Sequence, residues 1–239
     1  MTRTVLVTGG SSGIGRAVAA RFVADGADVV VTGRRAQLVE TTAQEIGAAG
    51  VVCDATDPQA VEALAARFDT LDVLVNAAGG LGSAQPRPGA GALETVLAEW
   101  QADLDGNLLS AVLTTTALKP VLAPGGTAIA IGTIGSERRG GSYGAAKAAL
   151  TAWYAMLSAD LGPRGVTANV VSPGYIADTG FFRGAMTDAR EQTLIAETHT
   201  KRAGAPHDIA ETVFFLASPG ARQITGQTIH VNGGAFTTR

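Results

Sequence analysis

Short apolar runs rich in β-branched residues alternate with alanine-rich segments along almost the whole chain. The runs lie at 4–8, 28–32, 51–53, 71–76, 127–133, 166–171 and 227–231. Near-continuous apolar runs of this length are typical of parallel strands that are buried on both faces, and the segments between them have helical spacing. The alternation of strand and helix predicts an α/β fold, a doubly wound sheet of seven parallel strands flanked by helices.

The length and the composition are typical of a globular protein. No repeat, linker or shift in composition divides the 239 residues, so we expect one domain over 1–239. Lys and Arg number 18 against 21 Asp and Glu, without a strong basic cluster, which argues against a nucleic-acid partner. The single Cys53 and three scattered histidines provide no disulfide and no metal-ligand set. Without a signal-like segment or a membrane-length apolar stretch, we expect a soluble cytoplasmic protein.

Two irregular stretches interrupt the alternation. Residues 77–92 are rich in Gly and Pro, whereas 174–201 carry the apolar side chains Tyr175, Ile176, Phe181, Phe182 and Met186. The second stretch follows the carboxyl end of a strand, where open α/β sheets bind ligands, so it is a candidate substrate lid. The alternative is a helical excursion that packs on the core or on a partner subunit.

The first strand ends in a glycine-rich turn that leads directly into a helix. The residues of this turn are Gly9, Gly10, Ser11, Ser12, Gly13, Ile14 and Gly15. Glycine lets the backbone approach a pyrophosphate, and a helix N-terminus offers free N–H donors and a positive dipole end. Such a turn is also compatible with a simple tight connection, but its place after the first strand favours phosphate binding.

The end of the second strand bears on the choice of cofactor. An acid there binds the ribose 2′-hydroxyl in NAD sites, whereas an arginine accommodates a 2′-phosphate. Here Gly33 takes the place of the acid, and Arg34 follows it. NADP(H) is therefore favoured over NAD(H), with Arg34 pairing with the phosphate. The alternative is that Arg34 and Arg35 begin a helix and stay solvated.

Tyr143 and Lys147 lie four residues apart at the start of an alanine-rich segment, so one helical face presents both side chains. A phenol titrates near ~10, and a nearby ammonium stabilises the phenolate and lowers that pKa. The pair is thereby suited to proton exchange at a reacting oxygen. Taken alone, such a pair is more often ordinary surface or packing; the glycine-rich turn upstream favours catalysis.

The order of these motifs resembles the short-chain dehydrogenase/reductase family over essentially the whole chain. The resemblance rests on the Gly-x-x-x-Gly-x-Gly turn and on four later features: Asp54, Asn76-Ala77-Ala78-Gly79, the Tyr143/Lys147 pair and Pro173-Gly174. It implies a single Rossmann fold and an NADP(H)-dependent ketoreductase, similar to 3-oxoacyl-carrier-protein reductases. Hydride would pass between the nicotinamide and a small-molecule carbonyl or secondary alcohol.

The resemblance also implies roles for individual residues. Tyr143 would exchange the proton, Lys147 would also hold the nicotinamide ribose, and Asn107 would open its helix locally to position a water. The cofactor would further contact Asp54, Asn76, Ala77, Gly79, Pro173, Gly174, Ile176 and Thr179. From the residues alone, Asp54 is equally a cap or turn residue, Asn76 a loop anchor, and Asn107 a solvated or back-bonding side chain of a helix over 93–119.

The chain departs from the family pattern at two positions: after strand six Asp178 takes the place of the usual threonine and Thr179 follows it, and the second departure is at the end of strand five. The family places a serine at the end of strand five to orient the substrate oxygen, whereas this chain has Thr133, ten residues before Tyr143. A threonine hydroxyl can donate the same hydrogen bond, although its methyl group restricts the rotamers. Ser136 is the competitor for this role. Arg138 and Arg139 either meet an anionic substrate or carrier protein or, as we favour, stay solvated.

Two other functions remain open at this stage. A non-catalytic NADP(H)-binding regulator would keep the fold, and Thr133 is the feature that keeps this alternative open. An NAD-dependent alcohol dehydrogenase would use the same residues in the oxidative direction. The family usually forms tetramers through the helices carrying Asn107 and Tyr143 and through the last strand, which 226–236 resemble, so we expect a homo-oligomer, a tetramer or a dimer.

Overall fold

A parallel sheet forms the centre of the structure, a computed structural model that describes residues 2–82, 89–138, 140–182 and 184–238. Within these residues the sheet has seven strands in the order β3-β2-β1-β4-β5-β6-β7. The strands are β1 (Thr4–Thr8), β2 (Asp28–Gly33), β3 (Ala49–Val52), β4 (Leu71–Asn76), β5 (Leu122–Ile131), β6 (Thr167–Pro173) and β7 (Thr228–Val231). This architecture confirms the predicted α/β fold class.

Helices cover both faces of the sheet. They are α1 (Gly13–Ala24), α2 (Ala36–Ile46), α3 (Pro58–Ala65), α4 (Ala92–Leu104), α5 (Ser110–Leu118), α6 (Gly141–Leu161), α7 (Asp188–Glu197) and α8 (Pro206–Leu216). Along β1, Val5 and Val7 pack in a cluster with α1 and α8, whereas Leu6 packs in a second cluster with α3, α5 and α6. Because successive side chains of a strand point to opposite faces, burial on both sides requires the continuous apolar runs seen in the sequence.

The bounds of several strands differ from the sequence prediction. The strand predicted at 127–133 begins five residues earlier, at Leu122, because Leu122 pairs with Leu71 before a register shift between Leu71 and Val73. It ends at Ile131, because Thr133 already caps a short 3-10 helix, Ile134–Ser136. Inter-strand pairing, which local sequence does not encode, sets the first of these limits, and the cap of the 3-10 helix sets the second.

The change of direction in strand order places two loops side by side. The chain winds one way from β1 to β2 and β3, and the other way from β4 to β7, so β1 and β4 are neighbours with Thr8 paired to Asn76. Ligands bind at such switch points, outside the carboxyl ends of the strands. The glycine-rich turn after β1 and the loop after β4 therefore share one crevice.

The stretch 174–201 contains a short 3-10 helix, Gly180–Phe182, and α7. Its start is attached to the fold by a bridge between Ile176 and Gly204. Of the predicted features, Arg139 and part of the stretch 77–92, namely 83–88, lie outside the described residues, as does Arg183. No helix in the described part of the chain has the length and apolar character needed to cross a membrane.

Candidate active site

The glycine-rich turn packs closely against the loop that follows β4. Gly9 has a φ of 65°, and a Cβ added there would lie 2.8 Å from the Ala77 carbonyl oxygen and from the Ala78 backbone. The Ala77 amide donates to the Thr8 carbonyl oxygen over 3.2 Å. Only glycine fits this conformation and this close approach. The turn thus leaves the N-terminus of α1 open at the crevice.

The two serines of the turn have different environments. Ser11 is buried, and its carbonyl oxygen accepts a 3.0 Å hydrogen bond from the Thr42 hydroxyl. Ser12 is the exposed N-cap of α1, and its side chain makes no capping hydrogen bond. Gly15 is buried, and the half-buried Ile14 packs against the core. Ser12 therefore presents a hydroxyl group beside the α1 amides.

Arg34 and Gly33 lie at the end of β2, on the adenosine side of the predicted site. A Cβ at Gly33 would lie 2.9 Å from the Ser11 hydroxyl oxygen, so a larger residue would crowd the turn. Arg34 and Arg35 are both exposed, and Arg34 carries its charge close enough to act on Asp54. The end of β2 is therefore positively charged through Arg34 and Arg35, and Gly33 places no side chain against the turn.

Asp54 organises a turn after β3. Its Oδ1 accepts hydrogen bonds from the Thr56 amide (3.0 Å) and the Thr56 hydroxyl (2.8 Å). Burial alone would raise the pKa of this carboxyl, but the Thr56 bonds and the Arg34 charge together lower it. Asp54 is thus a turn residue in the structure, as its residue type alone suggested, and its contact with adenine stays a prediction.

Asn76 anchors the centre of the sheet. Its amide nitrogen donates to the Thr115 hydroxyl (2.8 Å) on α5 and to the Tyr154 hydroxyl (2.9 Å) on α6. The side chain is buried, and its Oδ1 has no hydrogen-bond partner within the described residues. Asn76 therefore braces β4 against two helices, and its contact with the cofactor stays a prediction.

Lys147 is buried at the carboxyl end of β5. Its amine donates to the Ile131 carbonyl oxygen over 2.8 Å. A Cβ at Gly79, where φ is 142°, would come 3.2 Å from the Lys147 amine and 2.6 Å from the Asn107 Oδ1. Burial lowers the pKa of Lys147 to about 8. Gly79, Asn107 and Lys147 thus meet at one point, as expected for parts of one site.

Tyr143 is half-buried on the first turn of α6. Burial raises the pKa of its phenol to about 12, a side-chain hydrogen bond with Thr133 acts in the opposite direction, and the Asp103 charge adds to the rise. Lys147 is not among the groups that set this balance. In this conformation the phenol is therefore a proton donor, and the expected lowering of its pKa by Lys147 stays a prediction.

Thr133 is better placed than Ser136 to serve a ligand. The Thr133 Oγ accepts from the Gly135 amide (3.1 Å), which leaves its hydroxyl hydrogen available for Tyr143 or a substrate. The Ser136 Oγ lies 2.6 Å from the Thr133 carbonyl oxygen and 2.6 Å from a carboxylate oxygen of Glu137. The Ser136 hydroxyl is thus engaged locally, which favours Thr133 for the substrate oxygen.

Asn107 lies in a π-helical turn, Asp105–Leu109, that separates α4 from α5. The prediction of a continuous helix over 93–119 is therefore wrong at this point. The local opening of the helix that the family resemblance implied is present. The Asn107 amide donates to the carbonyl oxygens of Gly80 (2.9 Å) and Asp103 (3.1 Å), and its Oδ1 accepts from the Gly80 amide (2.8 Å). Asn107 both back-bonds and fastens the loop after β4.

The segment after β6 reaches the glycine-rich turn. Pro173 ends β6, the Gly174 amide donates to the Val231 carbonyl oxygen (3.3 Å), and the Ile176 side chain is buried in the core. A Cβ at Gly13 would lie 3.6 Å from Thr179, whose hydroxyl donates to the Ile176 carbonyl oxygen (3.2 Å). Thr179 therefore faces the turn across the crevice.

Two residues at the site, Asp103 and Ser142, were not found from the sequence. Asp103 is buried beside Tyr143 and accepts from the hydroxyl of Ser142 (2.6 Å). The ring of Phe181, in the stretch proposed as a lid, lies 5.5 Å from the Tyr143 ring. The helical pattern around Asp103 predicts a solvated carboxylate. Only the packing of α4 against its neighbours shows that Asp103 is buried. For Phe181, the apolar character of 174–201 was the available signal.

Arg138 forms an ion pair rather than an open anion site. Its guanidinium lies 2.8 Å from a carboxylate oxygen of Glu197 on α7, and both side chains are partly exposed. The loop before Tyr143 is thereby attached to 174–201. Among the described residues, no group of three or more His, Cys, Asp or Glu is arranged to hold a metal ion.

Comparisons with known proteins cover nearly the whole chain. A family model described as enoyl-(acyl carrier protein) reductase matches residues 9–236. The chain is 36% identical over 234 residues to a putative oxidoreductase of Mycobacterium tuberculosis, with 97% of each covered. It is 35% identical over 245 residues to the 3-oxoacyl-[acyl-carrier-protein] reductase FabG of Escherichia coli (strain K12), covering 98% of this chain and 97% of the relative.

A solved structure shares the fold to a similar extent. The blue fluorescent protein from a metagenomic library, in complex with NADPH, has a TM-score of 0.84 and 33% sequence identity, with 98% of both chains covered. The fold, the site and these relatives define an oxidoreductase. The chain belongs to the short-chain dehydrogenase/reductase family, and the family resemblance drawn from the sequence is confirmed.

Proposed function

We propose that the protein is an NADPH-dependent ketoreductase that reduces a small-molecule carbonyl to a secondary alcohol. The observation that carries the proposal is the convergence of Tyr143, Lys147, Asn107 and Thr133 at the carboxyl end of β5, outside the β1/β4 switch point. These residues come from three separate elements. Their meeting beside a glycine-rich turn fits hydride transfer to a carbonyl better than nucleotide binding alone.

The residues of the crevice fit a dinucleotide phosphate cofactor. The Gly9 and Gly79 positions are close approaches that a Cβ would block, and the α1 N-terminus with Ser12 offers donors to a pyrophosphate. Arg34, exposed at the end of β2, supplies a cation for a 2′-phosphate. A solved relative of the same fold is in complex with NADPH. Ala77, Pro173, Gly174, Ile176 and Thr179 line the remaining walls in this proposal.

Bound NADPH supplies the hydride that reaches the carbonyl carbon. Tyr143 donates its phenol proton to the carbonyl oxygen, because a pKa of about 12 keeps the phenol protonated at neutral pH. Thr133 donates a hydrogen bond to the same oxygen and holds it at the phenol. Lys147 binds the nicotinamide ribose hydroxyls through its amine. Asn107 holds the loop after β4 and positions a water that returns a proton toward Lys147 and Tyr143.

The stretch 174–201 is the proposed substrate lid. The Phe181 ring contacts the ring of Tyr143. The centroids of the Phe181 and Phe182 rings are 5.0 Å apart. These apolar side chains exclude water from the reacting carbonyl when substrate is present. The ion pair of Arg138 with Glu197 fixes the far end of the lid to the loop before Tyr143.

We also propose that the protein assembles as a homo-oligomer through α4. Four large apolar side chains on this helix are exposed: Leu93 (84%), Val96 (48%), Leu97 (68%) and Trp100 (44%). Their spacing places them along one helical face. An exposed apolar stripe of this kind fits a second copy of the chain, in an interface that includes the helices carrying Asn107 and Tyr143.

The test is NADPH consumption with a panel of ketones and 3-oxoacyl thioesters. We expect turnover with at least one substrate, and a loss of at least roughly a hundredfold in Tyr143→Phe with NADPH affinity unchanged. Faster reaction with NADH than with NADPH would favour the NAD-dependent alternative. Tight NADPH binding without reaction of any substrate would favour a non-catalytic regulator.

A further inference from the structure

Asp103 is a buried carboxylate to which the proposed mechanism gives no role. The residue, at the end of α4, is 6% exposed. Its Oδ1 accepts a hydrogen bond from the Gly82 amide (2.8 Å), and its Oδ2 accepts one from the Ser142 hydroxyl (2.6 Å). A Cβ at Gly82 would lie 2.7 Å from the Asp103 Oδ1, so the loop approaches the carboxylate as closely as glycine permits.

The carboxylate connects three segments of the active site. Ser142 immediately precedes Tyr143 on the first turn of α6, and Gly82 ends the described part of the loop after β4. The amide of Asn107, in the π-helical turn, lies 3.1 Å from the Asp103 carbonyl oxygen and 3.5 Å from its Oδ1. Movement of any one segment would therefore disturb the other two.

The charge of Asp103 acts on the phenol of Tyr143. A buried carboxylate is costly unless it is hydrogen-bonded, and its partners within the described residues are a backbone amide, a hydroxyl and a side-chain amide, all neutral. Within the described residues no cation pairs with this charge, which adds to the rise in the pKa of Tyr143 that burial mainly causes. Among the described residues, the other titratable groups at this place are Lys147 on α6 and Glu99, which is exposed on α4 at a cavity shared with Asp103 and Tyr143.

We propose that Asp103 is a positioning residue for Tyr143: it ties the first turn of α6 to the loop after β4, and its charge disfavours ionisation of the phenol. The proposal rests on the proposed role of Tyr143 as the proton donor. Asp103 acts through Tyr143 and the loop. It does not itself contact the reacting atoms in this proposal.

The direct test is an NMR titration of protein labelled with carbon-13 at the tyrosine Cζ, with the Tyr143 signal assigned by its loss in Tyr143→Phe. Asp103→Asn keeps the shape and the acceptor for Gly82 but removes the charge, so we expect Tyr143 to ionise at a lower pH than in the wild type. Glu99→Gln removes an exposed charge from the same cavity and leaves the titration unchanged. Circular dichroism at each pH restricts the comparison to folded protein. Identical titrations of Asp103→Asn and wild type would overturn the proposal.

Steady-state kinetics separate the effect of the bridge, the hydrogen bonds by which Asp103 joins Gly82 to Ser142, from the effect of the Asp103 charge. Asp103→Ala removes both, and we expect KM to rise about tenfold or more and kcat to fall. Asp103→Asn restores KM toward the wild-type value, while its pH profile stays shifted. Wild-type KM and kcat in Asp103→Ala would show that the bridge has no positioning role. If wild type reduces no carbonyl and the NMR shift is still present, the proposed function is wrong and the coupling of Asp103 to Tyr143 stands.

Discussion

The amine of Lys147 donates a hydrogen bond to the Ile131 carbonyl oxygen over 2.8 Å, in the buried space at the carboxyl end of β5. Burial lowers the pKa of Lys147 from 10.5 to about 8. Between these two values the unfolded chain binds a proton that the folded protein does not, so stability rises with pH across this window. At pH 7 the buried charge therefore destabilises the fold.

Lys147→Met is expected to raise the melting temperature at pH 7 by a few degrees and to abolish turnover, because it removes a buried charge that the proposed mechanism requires. The gain in melting temperature should shrink near pH 10, where the wild-type amine is already neutral. Differential scanning calorimetry at both pH values measures the effect. Lys201→Met, at an exposed lysine, is the control. A lower melting temperature for Lys147→Met at pH 7 would contradict the argument.

Thr133→Ser is expected to retain turnover, because the hydroxyl and its position after β5 are kept. Thr133→Val keeps the shape but loses the donor and the acceptor for the Gly135 amide, so kcat/KM should fall by roughly a hundredfold. Ser136→Ala should have a mild effect, because the Ser136 hydroxyl is engaged by Thr133 and Glu137. Steady-state kinetics of the three variants decide the assignment, and the opposite ranking would transfer the role to Ser136.

Arg34→Ala is expected to weaken NADPH binding about tenfold or more and to leave NADH binding nearly unchanged, because only NADPH carries the 2′-phosphate that the guanidinium pairs with. Isothermal titration calorimetry with both cofactors measures the two affinities. Arg35→Ala, at the adjacent exposed arginine, should have a smaller effect. Equal losses for the two cofactors in Arg34→Ala would remove the 2′-phosphate assignment.

Leu97→Glu is expected to dissociate the oligomer, because it places a charge in the exposed apolar face of α4. Size-exclusion chromatography with light scattering measures the mass of each species. Val52→Glu, at an exposed apolar residue of β3, is the control that should leave the mass unchanged. A wild-type protein that elutes as a monomer would refute the proposed assembly.

The fold could be predicted further than the site. The bounds of β1 and β4 agree with the runs at 4–8 and 71–76, because these strands are buried on both faces and their apolar runs end where the chain leaves the sheet. The apolar run at 51–53 begins two residues after β3 (Ala49–Val52) begins and ends one residue beyond it. The strand bounds differ from the run because β3 is an edge strand whose limits depend on pairing with β2. Pairing across strands is a non-local property, so the apolar pattern fixes the existence of a strand better than its ends.

The helix around Asn107 illustrates the same limit. Its composition predicts a continuous helix, and residue type alone gave the alternatives of a solvated or a back-bonding asparagine. In the structure the Ser110 amide bonds the Asp105 carbonyl oxygen, five residues back, so the turn widens to a π-helix and turns Asn107 toward Gly80. The two hydrogen bonds between Asn107 and Gly80 stabilise the π-helical turn only once α4 packs beside the loop after β4.

The sequence by itself determined the alternation of strands and helices, the glycine-rich turn, and the pairing of a phenol with an amine on one helical face, because periodicity and short spacings are local properties of the chain. Only the tertiary structure decided that Thr133 rather than Ser136 faces Tyr143 and that Asp103 joins Gly82 to Ser142. These contacts bring together residues up to 39 positions apart. Their geometry depends on how α4, α6 and two loops pack, and no local pattern encodes it.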